Sequence, residues 1–230
     1  SLRRQRQMCI RDSTKAVYTE LVANPSGEIA DLEGLAAVAR EAGVPLIVDA
    51  TLNTPYLCRP FEHGADIVIH SITKFLGGHG NTLGGVVVES GRFDWGNGKF
   101  PAMTEPVPSY NNVTWWGNFG EYGFLTKLRS EQLRDIGPSL TPQAAWNLLQ
   151  GVETLPQRMD AHVANAQEVV QWLATDPRIS YVNYAGLEDH PHHERAQKYL
   201  PHGIGSVFAF GVAGTDELSG REAVSYTHLR

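Results

Sequence analysis

The chain has 230 residues, with 19 basic and 25 acidic side chains and a formal net charge of −6. At 42% hydrophobic and 19% charged it is too apolar for a disordered chain and ordinary for a globular one. The mild acidity gives no ground to expect nucleic acid or a membrane as partner, and no apolar run approaches the roughly 20 residues that span a bilayer.

The length suits one large or two small domains. Cys9 and Cys58 are too few for a disulfide framework or a thiolate metal site, which points to a reducing compartment and a cytoplasmic location. Residues 1–13 hold four arginines and one acid without helical or strand period, and read as a foreign or artefactual end. A nucleic-acid arm or a transit peptide is the alternative for that segment. The abrupt tail, 224–230, reads as a second foreign end.

From Thr14 the pattern is regular. Residues 15–21 read as a short buried strand, ended by the turn cluster Asn24-Pro25-Ser26-Gly27. Asp31 is placed to cap a helix through Glu41, with Leu32, Leu35, Ala36, Val38 and Ala39 on its apolar face. Gly43 stops that helix, and 45–49 is an apolar strand ending in the carboxylate of Asp49. Further strands are expected at 65–71 and 84–89. Strand, helix, strand in this order argues for an α/β sheet with parallel strands, whose ligands bind beyond the strands' carboxyl ends. Asn24, Asp49 and the 71–74 turn then share one rim.

Residues 91–140 read as a long loop region with a helix near 124–135. Its aromatics (Trp95, Phe100, Tyr110, Trp115, Trp116, Phe119) suit a pocket lining or a subunit contact equally. Thr141 and Pro142 start a helical stretch that runs to about Leu173, with a break near Gly151 and Pro156. Trp146, Leu148, Leu149 and Val152 in it are expected to be core. Strands at 179–184 and 206–211 belong to a second, smaller α/β unit.

The chemistry concentrates in Asp49 and Ser71-Ile72-Thr73-Lys74. A lysine just after a buried strand can condense with a carbonyl cofactor such as pyridoxal 5'-phosphate. The hydroxyls of Ser71 and Thr73 can bind its phosphate, and Asp49 can pair with its protonated pyridine nitrogen. The bland reading is a helix-capping aspartate and a chance Ser-x-Thr-Lys; spacing alone leaves both open.

Longer motifs carry a resemblance. Residues 48–56, Pro60, residues 63–68 and the run His70-Ser71-Ile72-Thr73-Lys74-Phe75-Leu76-Gly77-Gly78-His79-Gly80 resemble the core of the Cys/Met-metabolism family of pyridoxal-phosphate enzymes. Glu20 and Asn24-Pro25 stand at that family's Glu-x-x-x-Asn-Pro segment. Residues 96–101, 108–110 and 151–155, with Arg158-Met159, His162-Val163, 182–184 and 198–201, are most similar to its O-acetylhomoserine sulfhydrylase branch. The resemblance covers about residues 14–223. It implies a fold-type I transferase, with part of the cofactor-binding large domain at 14–150 and part of a smaller C-terminal domain at 151–223.

It further implies that Lys74 is the Schiff-base lysine and the proton shuttle between Cα and Cβ. Asp49 would hold the pyridine nitrogen, Ser71 and Thr73 the phosphate, and Asn24 the phenolic oxygen and the substrate side. Ala50 departs from the family, which usually has Asn there, a tolerable change since the carboxylate of Asp49 is what the ring needs. The implied reaction is γ-replacement on O-acetylhomoserine by sulfide or a thiol, giving homocysteine or methionine and acetate. Implied partners are these small molecules, with homodimers or homotetramers at full length.

The family's chain extends beyond both ends of this one. Its upstream parts supply a ring-stacking aromatic, phosphate-binding amides, and a Tyr and Arg for the neighbouring subunit; its downstream part supplies the arginine for the substrate carboxylate. None maps here. The competing readings are a sibling enzyme (methionine or cystathionine γ-lyase, cystathionine γ-synthase) and an incomplete, non-catalytic fragment. His190, His192 and His193 match no metal-ligand spacing, so no metal is expected. Gly78-x-Gly80 lacks the third glycine of a dinucleotide fingerprint, and His79 is read as shaping the loop after Lys74.

Overall fold

The computed structural model describes residues 13–213; the expected foreign ends, apart from Ser13, lie outside the described residues. Four strands form the main sheet in the order β1 (Val17–Glu20), β2 (Leu46–Asp49), β3 (Ile67–Ser71), β4 (Gly85–Glu89). β1 pairs β2 and β2 pairs β3 in parallel, with Glu20 opposite Asp49 and Asp49 opposite Ile69.

The crossover from β1 to β2 is helix α1 (Leu32–Glu41). Its first turn is capped by Asp31, whose Oδ1 accepts from Gly34 N at 3.2 Å. Leu32, Ala36 and Ala39 are its buried face, and Gly43, at φ +62°, turns the chain out of it. The β2–β3 crossover holds a short helix, α2 (Thr54–Leu57), and a 3-10 turn at Pro60–His63.

β4 runs antiparallel to β3, with Ser71 opposite Gly85. The sequence reading expected parallel strands. A parallel neighbour needs a crossover, normally a helix, and residues 72–84 hold turns and loop in its place. The chain therefore returns alongside β3.

Alternation along the strands gives the sheet two different faces. Leu46, Val48 and Val68 pack against α1 and against α7 (Leu155–Thr175), which contributes Leu155, Met159, Val163 and Val170. The opposite face presents Ile47, Ile67 and Ile69 to a second core built on Trp95, Met103 and Trp115. That core comes from the long 91–136 segment, which folds into α3 (Pro101–Thr104), α4 (Trp115–Phe119), α5 (Gly123–Lys127) and a π-helical turn at Leu128–Ile136. Trp95 stacks on Phe124 at 4.8 Å between centroids. The segment's aromatics are thus mostly packed on each other, while Trp95 and Phe100 also line a cavity of about 390 Å³.

α6 (Pro142–Glu153) starts as expected, with Thr141 Oγ1 accepting from Ala144 N at 3.1 Å. Its core assignment needs correction. Leu148 is buried, but Trp146 and Leu149 are 56% and 63% exposed, and Val152 is exposed as well. α6 buries one side, where Leu148 and Gly151 meet the turn after Lys74, and leaves its other apolar residues outside.

The C-terminal part holds β5 (Ile179–Asn183), α8 (His193–Tyr199) and β6 (Ala209–Val212), the two strands pairing antiparallel. β6 starts three residues later than the sequence pattern indicates. Tyr184, Tyr199, Leu200 and Ile204 join the same core as α1. The Tyr199 hydroxyl also donates to Asp31 Oδ1 at 3.1 Å, so one carboxylate serves both α1 and α8. Asp31→Ala is expected to cost about 1–2 kcal/mol of unfolding free energy in a denaturant titration. A Tyr199→Phe change on the Asp31→Ala background should cost further stability, because the hydroxyl also accepts from Glu33 N at 3.3 Å.

Candidate active site

The carboxyl ends of β1, β2 and β3 form the rim that the sequence indicated. Asp49 closes β2 and Ser71 closes β3. Asp49 is in register with Ile69, and Ser71 lies two residues on, so both side chains project from the same face. It is the face covered by the aromatic core, opposite α1.

Asp49 is half-buried and held at one oxygen. Its Oδ1 accepts from Thr51 N at 2.9 Å, while the Tyr18 hydroxyl reaches Oδ2 at a long 3.4 Å. Partial burial, then the negative charges of Asp49 and Glu20, push the Tyr18 phenol above its ordinary pKa, which keeps it a donor. Thr51 faces the other way as well: its Oγ1 accepts from Ser71 N at 2.8 Å. This one residue therefore links the carboxylate at the end of β2 to the start of the lysine turn. Its role had no sequence signal, because its partner is a backbone amide across the rim.

Lys74 follows in a tight turn, where Lys74 N donates to Ser71 O at 3.1 Å and Gly78 N donates to Lys74 O at 2.7 Å. Its side chain is exposed, and among the described residues its amine has no hydrogen-bond or ion-pair partner. The Ser71 hydroxyl also has none among them. Thr73 differs: its Oγ1 accepts from Gly84 N at 3.0 Å and lies 3.3 Å from Gly84 O. That hydroxyl clasps the base of the loop and retains limited capacity for a further ligand. Asn24 lies beyond β1, exposed, where its backbone N–H donates to Glu20 Oε2 at 3.0 Å. The Glu20–Asn24 spacing thus closes the turn that presents Asn24.

His79 Nδ1 sits 2.7 Å from Gly77 O, a contact within the loop. His190, His192 and His193 bond Asn183, Ile29 and Ala185, and among the described residues no group of three or more His, Cys, Asp and Glu stands together to hold a metal.

Pyridoxal phosphate needs an amine free to bond its aldehyde, an anion for its ring nitrogen and donors for its phosphate. A lysine and a serine hydroxyl unpartnered among the described residues, and a carboxylate with one oxygen weakly held, are of the kinds these needs call for and stand along one rim. The family model for the Cys/Met metabolism PLP-dependent enzymes matches residues 2–229. The chain belongs to that family.

Relatives within the family include the O-acetyl-L-homoserine sulfhydrylase of Leptospira meyeri, 45% identical over 88% of this chain and 48% of its own length. The homocysteine/cysteine synthase of Saccharomyces cerevisiae is 44% identical over 87% of this chain and 46% of its own length. A solved structure described as an O-acetylhomoserine (thiol)-lyase of Campylobacter jejuni superimposes with a TM-score of 0.84 at 34% identity. It covers 89% of this chain and 51% of its own, and carries N'-pyridoxyl-lysine-5'-monophosphate. The chain spans about half the length of these relatives.

Thr51→Val keeps the shape of Thr51 but leaves the partly buried Ser71 N–H without its acceptor. The expected loss is about 1–3 kcal/mol in a denaturant titration, with weaker pyridoxal phosphate binding by spectroscopic titration. His70, on the opposite face of β3, is buried, and among the described residues its Nδ1 has no partner. Burial lowers its pKa from the ordinary 6.5, against a smaller opposing effect of a hydrogen bond to the Ala50 backbone. The native state thus favours the neutral ring, and its contribution is complete above pH 6.5 and declines as pH falls below it. Unfolding free energy measured from pH 7 down to 5 should drop, with a shallower slope in His70→Gln.

Proposed function

We propose that the whole protein performs γ-replacement on O-acetylhomoserine with sulfide or a thiol, releasing acetate and homocysteine or methionine. The observation that carries this is the Lys74 amine, unpartnered among the described residues, on the same rim as the half-buried Asp49. The family membership and the names of the relatives support the choice of substrate.

Pyridoxal phosphate, when bound, supplies an electron sink that acidifies the Cα–H of an attached amino acid. Lys74 would hold it covalently through Nζ. Asp49 would keep the ring nitrogen protonated, with Thr51 fixing the carboxylate's orientation. Ser71 would donate to the phosphate; Thr73 holds the loop base through Gly84 and would assist with what capacity its hydroxyl retains. Asn24 would contact the phenolic oxygen and the substrate side.

The Lys74 amine would take the proton from Cα and then from Cβ of the bound amino acid, and return them after the new bond forms. Breaking the Cγ–O bond expels acetate, and addition of the sulfur nucleophile forms the Cγ–S bond.

In the same reading, residues 14–150 belong to the cofactor-binding domain and 151–223 to a smaller C-terminal domain, and the whole protein is a homodimer or homotetramer. A cytoplasmic location accords with the free, buried Cys58, whose thiol burial pushes up to about 12. Among the described residues no helix is long and apolar enough to cross a membrane.

The test is Lys74→Ala in the intact protein, assayed for homocysteine and acetate from O-acetylhomoserine and sulfide. Turnover should fall by roughly three orders of magnitude or more, with loss of the visible absorbance of lysine-bound cofactor. Retained turnover would overturn the reading. Wild-type release of ammonia and a ketoacid from methionine or cystathionine, without sulfide incorporation, would replace it by the lyase.

A further inference from the structure

The backbone that follows Lys74 is gripped by one cation from outside the main sheet. Arg158, in the first turn of α7, donates from Nη1 to Phe75 O at 2.7 Å and from Nη2 to Leu76 O at 3.3 Å. The same Nη2 donates to Gly151 O at 2.5 Å, and Nε donates to Thr154 Oγ1 at 3.0 Å. Among the described residues it has no carboxylate partner. Its charge is met by three main-chain carbonyls and one hydroxyl, and burial draws its pKa below the ordinary arginine value.

Three further contacts show that the fit is close. A Cβ on Gly78, at φ +74°, would overlap the Arg158 guanidinium. A Cβ on Gly151 would overlap the Gly77 carbonyl, so the α6–α7 junction lies flush against the lysine turn. Gly77 N also donates to Ile72 O at 2.8 Å, tying the turn's far side to its start. The Lys74 side chain has no anchor of its own among the described residues. Where its amine begins is therefore set by the backbone of residues 75–78.

We propose that Arg158 is the positioning residue for Lys74, its planar fork fixing the turn from which the amine reaches cofactor and substrate. The fork matters as much as the charge. Two carbonyls of the turn and one of α6 are bonded at once from different sides, which a single ammonium cannot reproduce. Since Arg158 lies in α7, the placement of a rim lysine is dictated from the C-terminal part of the chain. The inference rests on Lys74 having the role proposed above.

The experiment compares wild type, Arg158→Gln, Arg158→Lys and Lys74→Ala in the intact protein. The readouts are pyridoxal phosphate affinity, the pH midpoint of the bound cofactor's visible band, deuterium exchange at Cα of O-acetylhomoserine in heavy water, and thermal midpoint. Arg158→Gln should slow Cα exchange on the order of 10- to 100-fold with KM little changed, as displacement of a reacting group requires. The pH midpoint of the band should move by about half a unit or more, because the amine's surroundings change. Arg158→Lys should restore thermal stability more than exchange rate.

The proposal is overturned if either folded variant keeps exchange within about twofold of wild type and an unmoved pH midpoint, whatever its thermal midpoint. If Arg158→Gln does not fold, Arg158→Lys is judged by the same two readouts. Exchange that survives in Lys74→Ala overturns the functional reading instead. Wild-type behaviour of the Arg158 variants beside an inert Lys74→Ala overturns the positioning role alone.

Discussion

The parallel register of β2 and β3 is the constraint on which the site depends. Because Asp49 stands opposite Ile69, the carboxylate and the hydroxyl of Ser71 emerge on one side of the sheet, one strand apart. A slip by one residue would send Ser71 and Asp49 to opposite faces. The register is held by burial on both sides: Val48 and Val68 against α1 and α7, Ile47 and Ile67 against the tryptophan cluster. Thr51 then couples the two strand ends directly, so the acid and the lysine turn share one rigid edge.

A second dependence runs from the C-terminal part. The contact between Gly77 and Gly151 has no room for a side chain on Gly151, and it brings α6 and α7 onto the loop. The rim is therefore not the property of the sheet alone. Tyr56 hydroxyl on Asp160 at 2.9 Å and Asn53 Nδ2 on Ile204 O at 3.3 Å add further ties between the segment after Asp49 and the C-terminal part.

Strands β1 to β3 and α1 are readable in the sequence because each is a continuous apolar run or an amphipathic period ended by strong punctuation: Asn24-Pro25, Asp31, Gly43. Asp49 and Lys74 are readable because they end such runs. The direction of β4 is not, since it follows from what residues 72–84 lack, a crossover helix. The exposed side of α6 is hidden for a related reason. Trp146, Leu149 and Val152 give that helix apolar residues beyond the Leu148 side, and periodicity does not say which of them finds a partner. Thr51 and Arg158 escape because their partners are backbone atoms 20 and 83 residues away. A main-chain carbonyl has no sequence identity, so no pattern of residue types marks the residue that binds it.

The antiparallel return of β4 has a consequence for how the lysine can move. Ser71 and Gly85 are paired, and Thr73 bridges Gly84 just inside them, so residues 74–83 form a noose with a closed neck. A closed neck removes most of the conformations an open linker would sample, and with them the entropy that swinging away would gain. Nor does Lys74 head a long helix, whose field would bias an amine there. The freedom of its amine then lies chiefly in its own four methylenes, rotating above an anchored backbone.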